Sequence, residues 1–332
     1  MPAAPPDPGR TATRLVGLGL AAACTALLVS LLTGSASISA WDVLRLLWID
    51  DGTVDDRIID QLRLPRTLSA FAVGGALSLA GTLMQVLLRN PLGDPYVLGV
   101  SGGASVAVLA GMLLGLPILW LHPLALAGAF ASMLLVFALA SRHDDPDNRR
   151  LLLTGIVMAA GWSALIGLVL SLAPPLQLPG MLFWLMGDLS AAYSPGLLLA
   201  ALGLGLAASL ALAPQLNLAA FGLRQAAALG VDPRRLRLQL YLLASLLTAV
   251  AVTSAGAIGF VGLVTPHLAR LLGASDHRLL LPVATLLGGA LLTLADTAAR
   301  TLIAPAQLPV GVLTALLGVP VFLWLLRREP RL

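Results

Sequence analysis

Lysine is absent from the 332 residues, and all twenty basic side chains are arginine. A P-loop ends its phosphate cradle in lysine, so this chain carries no Walker A site; if nucleotide drives it, a separate subunit binds that nucleotide. Glutamate is nearly as scarce, with Glu329 alone among the sixteen acids. The one cysteine, Cys24, excludes an intramolecular disulfide, a CxxC redox pair and a cysteine metal cluster. No HExxH is found, no GxSxG has suitable partners, and Asp42, Asp50, Asp51, Asp55, Asp56 and Asp60 lack a metal-ligand spacing. The sequence therefore points to no catalytic group, no metal and no cofactor bound by this chain. The arginines are dispersed and not interleaved with aromatics, so nucleic acid is not an expected partner.

What the chain has in quantity is apolar length. Hydrophobic residues make up 58% and charged residues 11%, and the mean hydropathy of +0.93 lies far from the soluble range. Ten apolar segments of membrane-crossing character can be drawn, near 14–33, 65–88, 97–118, 121–140, 151–173, 195–214, 237–256, 259–273, 279–300 and 309–326. The expected fold is all-α and integral to the membrane, with lipid as its solvent and residues 1–332 forming one domain. Residues 1–40 have the outline of a secretory signal, but the stretch from Leu15 to Leu32 is long for one and reads as an uncleaved first span. The single-residue breaks Pro117, His122 and Pro123 place a turn inside 97–140. Gly256, Gly259, Gly262 and Pro266 place another inside 238–273.

Ten crossings put both termini on one side, and arginine says which. With residues 1–13 as a cytoplasmic tail, fifteen arginines fall in cytoplasmic segments and five outside, at 45, 57, 63, 66 and 300. Losing one span would reverse every later loop and spoil that asymmetry. Residues 35–62 then form an external, polar, partly helical segment. The long inner connection at 215–236, containing GLRQAAALGVDPRRLRL, reads as two short helices separated by Gly230 and restarted at Asp232-Pro233. Such a pair suits an interfacial element or a partner-docking element equally well.

Ionisable groups in the spans each cost about 2.5–3.5 kcal/mol at a helix centre, and the spans hold few. Asp296 is the clearest, and Arg300 four residues later is its expected partner on one helical face. A proton relay through Asp296 is the alternative role. His122 falls in an outer turn and His267 near an inner end, so no transmembrane histidine chain is expected. Gly74, Gly75, Gly81, Gly99, Gly102 and Gly103 allow helices to approach closely.

The run RLPRTLSAFAVGGALSLAGTLMQVLLRNPLGDPYVLGVSGGAS at 63–105 resembles the hallmark region of the FecCD permeases, importers of ferric siderophores, haem and cobalamin. GFVGLVTPHLARLLG at 259–273, DHRLLLP, ADTAAR at 295–300 and LPVGVLTALLGVPVFLWLL match it in the same order. The resemblance implies a ten-span permease of the bacterial inner membrane. It further implies a homodimer with a second copy, two ABC ATPase subunits carrying ATP and magnesium inside, and a substrate-binding protein outside. Carried over residue by residue, Arg63, Arg66 and Arg300 would meet acids of the binding protein; snorkelling to lipid phosphates is the competing role. Arg224, Ala228, Leu229, Gly230 and Val231 would lie in the coupling helices that enter the ATPase. Arg224 and Gln225 stand where many relatives are acidic. Asn90 and Leu92 would belong to an inner gate, where Gly93 replaces a commoner alanine and where Asp147 and Asn148 mark a second, unusually polar gate region.

Overall fold

The computed structural model describes residues 8–34, 38–46, 48–49, 51–140, 149–190 and 195–328, and among them every regular element is helical. In chain order these are α1 (Pro8–Leu32), α2 (Ala40–Leu46), α3 (Val54–Ile58), α4 (Leu64–Leu87), α5 (Val100–Leu113), α6 (Ile118–Ala140) and α7 (Arg149–Leu172). There follow α8 (Leu178–Leu185), α9 (Pro195–Ala220), α10 (Leu223–Ala228), α11 (Pro233–Ala255), α12 (Val261–Leu271), α13 (His277–Thr301) and α14 (Val310–Arg328). Each of the ten apolar segments is helical, but they are unequal. Seven stretches are long and apolar enough to cross a membrane, namely α1, the run from α3 through α4, α6, α7, α9, α11 and α13.

The other three are shorter, and local backbone explains two of them. Before α5, Pro95 opens a 3₁₀ turn and Gly99 takes a left-handed φ of 71°, so the regular helix starts only at Val100. Before α12, Gly256 (φ 68°) and Phe260 (φ 70°) break the chain, leaving eleven residues. These rise about 16 Å, roughly half the ~30 Å hydrocarbon core. The count of ten therefore holds for helices, and is approximate for full crossings. The break in 97–140 lies at 114–117, which puts His122 and Pro123 in the opening turns of α6 rather than in a loop.

Buried α4 forms the centre, packed by α13, α11, α9 and α12. Its small residues set the spacing. A Cβ on Gly74 would overlap the carbonyl of Gly288, and one on Gly81 would overlap the backbone of Gly262, so α13 and α12 lie directly against α4. Hydroxyls add cross-links at this depth: Ser78 donates to the Ala284 carbonyl (2.6 Å), and the Ser78 and Thr265 hydroxyls pair at 2.7 Å. By contrast, α7 is bare along nearly all its length. In the external segment, Thr53 caps α3 by accepting from the Asp56 amide. That segment is less polar than its acids suggest, because Trp41 and Trp48 are 76% and 89% exposed.

Candidate functional site

At one end of the bundle the C-terminus of α1, the N-terminus of α4 and the C-terminus of α13 converge on four charged side chains. A π-helical turn at Ile59–Arg63 joins α3 to α4 and ends on Arg63, with Arg66 one turn further on. Arg66 Nε donates to both oxygens of Asp296 (3.2 and 3.0 Å), Nη2 donates to Oδ1 at 2.8 Å, and Nη1 donates to Gln307 Oε1 at 2.9 Å. Asp296 is fully buried. The expected partner, Arg300, stands further off, with Nε 3.7 Å from Oδ2. Its Nη2 instead donates to the carbonyl and hydroxyl of Ser30 at 2.5 and 2.7 Å.

Two guanidinium groups thus cap α1. Arg63 Nη1 donates to the Leu31 carbonyl at 3.0 Å and Arg300 takes that of Ser30, both among the last carbonyls of the helix. These lack intrahelical partners and form the negative pole of the helix dipole, where a cation stabilises by about 0.3–1 kcal/mol and up to ~2 kcal/mol when partly buried. Gly34 leaves room for this, since a Cβ there would stand 2.6 Å from Arg63 Nη2. The arginines singled out by sequence are therefore assembled in one cluster. Ser30, Gln307 and Gly34 complete it, and no local pattern announces them.

Helix α13 runs from this cluster to the opposite end of the bundle. Arg300 and His277, twenty-three residues apart along it, are separated by roughly 35 Å. There Asn217, near the end of α9, accepts from the His277 amide (2.9 Å) and donates to Asp276 at 2.8 Å, drawing the Asp276 carboxyl below its ordinary range. Asp276 also caps α13 through the Arg278 amide.

Beside this junction lies the 222–236 segment. Gly222 (φ 125°) releases α10, Gly230 (φ 88°) ends the turn after it, and Asp232 caps α11 by accepting from the Arg234 and Arg235 amides. Arg224 and Ala228 lie on α10; Leu229 is 67% exposed while Val231 folds back into the core. The expected second short helix is instead the first turn of α11. Asp232-Pro233 starts it, and the buried stripe Leu236, Leu240, Tyr241 and Ala244 continues without interruption.

The loop after α4 lies at this end too. Arg89 adopts a positive φ of 48°, and Asn90 closes an Asx turn, its Oδ1 accepting from the Leu92 amide and its carbonyl from Gly93. Leu92 is exposed. A Cβ on Gly93 would come within 3.1 Å of the Gln85 backbone, tighter than alanine accepts without a shift. Asp94 caps the next turn through the Tyr96 amide (2.7 Å), and burial pushes its carboxyl up to about 6 against the lowering effect of that bond. The Tyr96 hydroxyl accepts from the Ile258 amide at 2.9 Å, tying this loop to the break before α12. Asp147 and Asn148 lie outside the described residues.

Back at the arginine end, a cavity of about 490 Å³ opens between the start of α6, α8, the end of α11 and Gln307. Aromatic side chains of Phe183 and Trp184 share its wall with Met112, His122 and Asp188.

The profile of the FecCD transport family matches residues 21–328. The hemin transport system permease protein HmuU of Yersinia pestis is 43% identical over 322 residues, covering 91% of this chain and 93% of that protein. The vitamin B12 import system permease protein BtuC of Escherichia coli O139:H28 is 39% identical over 317 residues, covering 92% of each. A solved structure described as an inward-facing conformation of a metal-chelate type ABC transporter superposes with a TM-score of 0.85 at 31% identity, over 96% of this chain and 100% of that one.

Proposed function

The chain belongs to the FecCD transport family, and from that premise we propose that it is the permease subunit of an ATP-driven, binding-protein-dependent importer of the bacterial inner membrane. Its cargo is an iron chelate, haem or cobalamin. The observation that carries the reading is the two-ended bundle. A cluster of three guanidinium groups and one carboxylate lies about the length of α13 from a short helical segment anchored by buried Ala226 and Val231 and exposing Leu229.

On this reading the arginine end is external and both termini are cytoplasmic. Arg63, Arg66 and Arg300 present a net positive field to acids of the binding protein; because Arg63 and Arg300 are largely buried, they act more through steering and register than through direct contact. Residues 215–236, with Arg224, Ala228, Leu229, Gly230 and Val231, dock into a partner ATPase that binds ATP and magnesium. Asn90 and Leu92 gate the inner mouth. A second copy pairs along the bare face of α7, where the small residues Ala159 and Ser163 suit close helix approach. ATP binding on the partners then shifts a population between outward-open and inward-open arrangements.

An ion-coupled carrier built on Asp296 is disfavoured, because that carboxylate is held by Arg66 and flanked by Arg300. Proteoliposomes holding this chain with its ATPase and binding protein should take up cargo only while ATP is hydrolysed. Uptake that needs no ATP and stops when the proton gradient is collapsed would overturn the proposal.

A further inference from the structure

The cavity at the arginine end contains polar groups that the protein itself leaves unused. Among the described residues no group hydrogen-bonds the His122 imidazole. The Thr253 hydroxyl lines the same space, buried and without a hydrogen-bond partner. That hydroxyl, buried and unpaired, marks a place where something else supplies the bond, while half-buried His122 keeps its imidazole reachable from the cavity. Around them the wall is mostly apolar, with Phe183 and Trp184 on α8. Asp188 is turned onto Ser190, whose amide and hydroxyl it accepts from, so its charge is occupied locally. On the rim, Gln307 is bound by Arg66.

A volume of about 490 Å³ falls in the range that encloses one mid-sized ligand. Three cargo classes compete for it, and coordination chemistry separates them. A ferric siderophore fills all six positions on its iron, so an imidazole gains nothing from it. A cobalamin brings its own nucleotide base to one axial position of its cobalt, so it too gains little from an imidazole. An iron porphyrin is a flat apolar disc with an open axial position for a histidine nitrogen and carboxylates at one edge. We propose that this cavity is a reception site for haem. His122 is the axial ligand, Phe183 and Trp184 are the flat walls, and the haem carboxylates lie toward Gln307 and Arg66, away from Asp188. The inference rests on the importer reading and names its cargo class.

The test is titration of the full-length chain in lipid nanodiscs with ferric protoporphyrin IX, followed by visible absorption. The native chain should saturate at one haem per chain with a shifted Soret band. His122→Ala should bind at least tenfold more weakly and lose the axial-ligand spectrum, whereas His122→Met should retain binding with a displaced band. Met112→Trp, which fills the cavity and leaves the imidazole in place, should also lose binding. Iron-free protoporphyrin should not distinguish the native chain from His122→Ala. An unchanged spectrum and affinity in His122→Ala, or uptake that rises with lipid and never saturates, overturns the assignment. ATP-driven uptake with no His122-dependent binding would remove the haem site and leave the importer standing. His122-dependent binding in a chain that never shows ATP-driven uptake would do the reverse.

Discussion

Replacing Asp296 by asparagine asks which arginine the buried carboxylate serves. Asp296 has no exposed surface, and Arg66 reaches it through three donor–acceptor pairs of 2.8–3.2 Å, while Arg300 Nε is 3.7 Å away and its Nη2 is committed to Ser30. Removing one member of a buried, hydrogen-bonded ion pair costs about 3–5 kcal/mol, because the other charge is left uncompensated. Asparagine retains one oxygen that can accept from Arg66, so the lower end, about 3 kcal/mol, is expected for Asp296→Asn and the upper end for Asp296→Ala. Adding Arg66→Gln should recover much of the loss, since both charges then leave together. A double-mutant cycle should give a coupling of about 2–3 kcal/mol between 66 and 296, and less than about 1 kcal/mol between 300 and 296. The assay is equilibrium unfolding in mixed micelles with rising dodecyl sulfate, followed by tryptophan fluorescence. If Asp296→Asn lies within about 0.5 kcal/mol of the native chain, or if residue 300 couples more strongly than residue 66, the reasoning is wrong.

Three further outcomes follow from particular contacts. Gly81→Ala places a methyl group inside the backbone of Gly262 and should cost more than about 2 kcal/mol in the same assay, whereas Gly203→Ala on α9, with nothing within 4 Å, should be neutral or slightly stabilising. Asp94 holds its proton to about 6 in the folded chain, against 3.8 otherwise; the stability this lends is complete below about pH 4 and is lost as pH rises through 6. Asp94→Asn keeps the cap without the charge, so it should match the native chain near pH 4 and exceed it at pH 7.5. The excess is at most about 2–3 kcal/mol, and smaller where water reaches the carboxylate; an equal gap at both pH values would refute this. Leu229→Asp, at an exposed position of the 222–231 segment, should lower ATP-dependent uptake in proteoliposomes at least tenfold with the fold intact, and unchanged uptake would remove this residue from the coupling surface.

The fold was legible to the extent that it depends on apolar length and charge bias. Ten apolar runs gave ten helices, and the sequence cue at Gly256 marks a real break, whereas Gly99, read for close helix approach, takes the left-handed φ that delays the start of α5. How much helix those breaks remove was not legible, because Phe260 adopts a positive φ through tertiary packing that no residue preference announces. The same limit applies at 232–236. A proline after a capping aspartate signals a helix start, yet whether the helix stops after one turn or runs to Ala255 depends on the stripe it buries against α4.

The candidate site divides along the same line. Charge bias alone sets five arginines apart, 45, 57, 63, 66 and 300, and the resemblance to the FecCD permeases narrows them to Arg63, Arg66 and Arg300. Their partners are properties of the fold. A local rule pairs Asp296 with the residue one turn away, but a carboxylate lodged between two helices takes whichever guanidinium can approach in plane, and that one lies 230 positions distant in sequence. Ser30, Gln307, Asn217 and the Tyr96 hydroxyl are of the same kind: ordinary polar groups whose roles come from what packs beside them. His122 stands apart, because among the described residues no group hydrogen-bonds its imidazole. Where Arg63, Arg66 and Asp296 are held by the protein, the half-buried imidazole beside an aromatic-walled cavity is left available to a ligand whose metal takes the nitrogen lone pair.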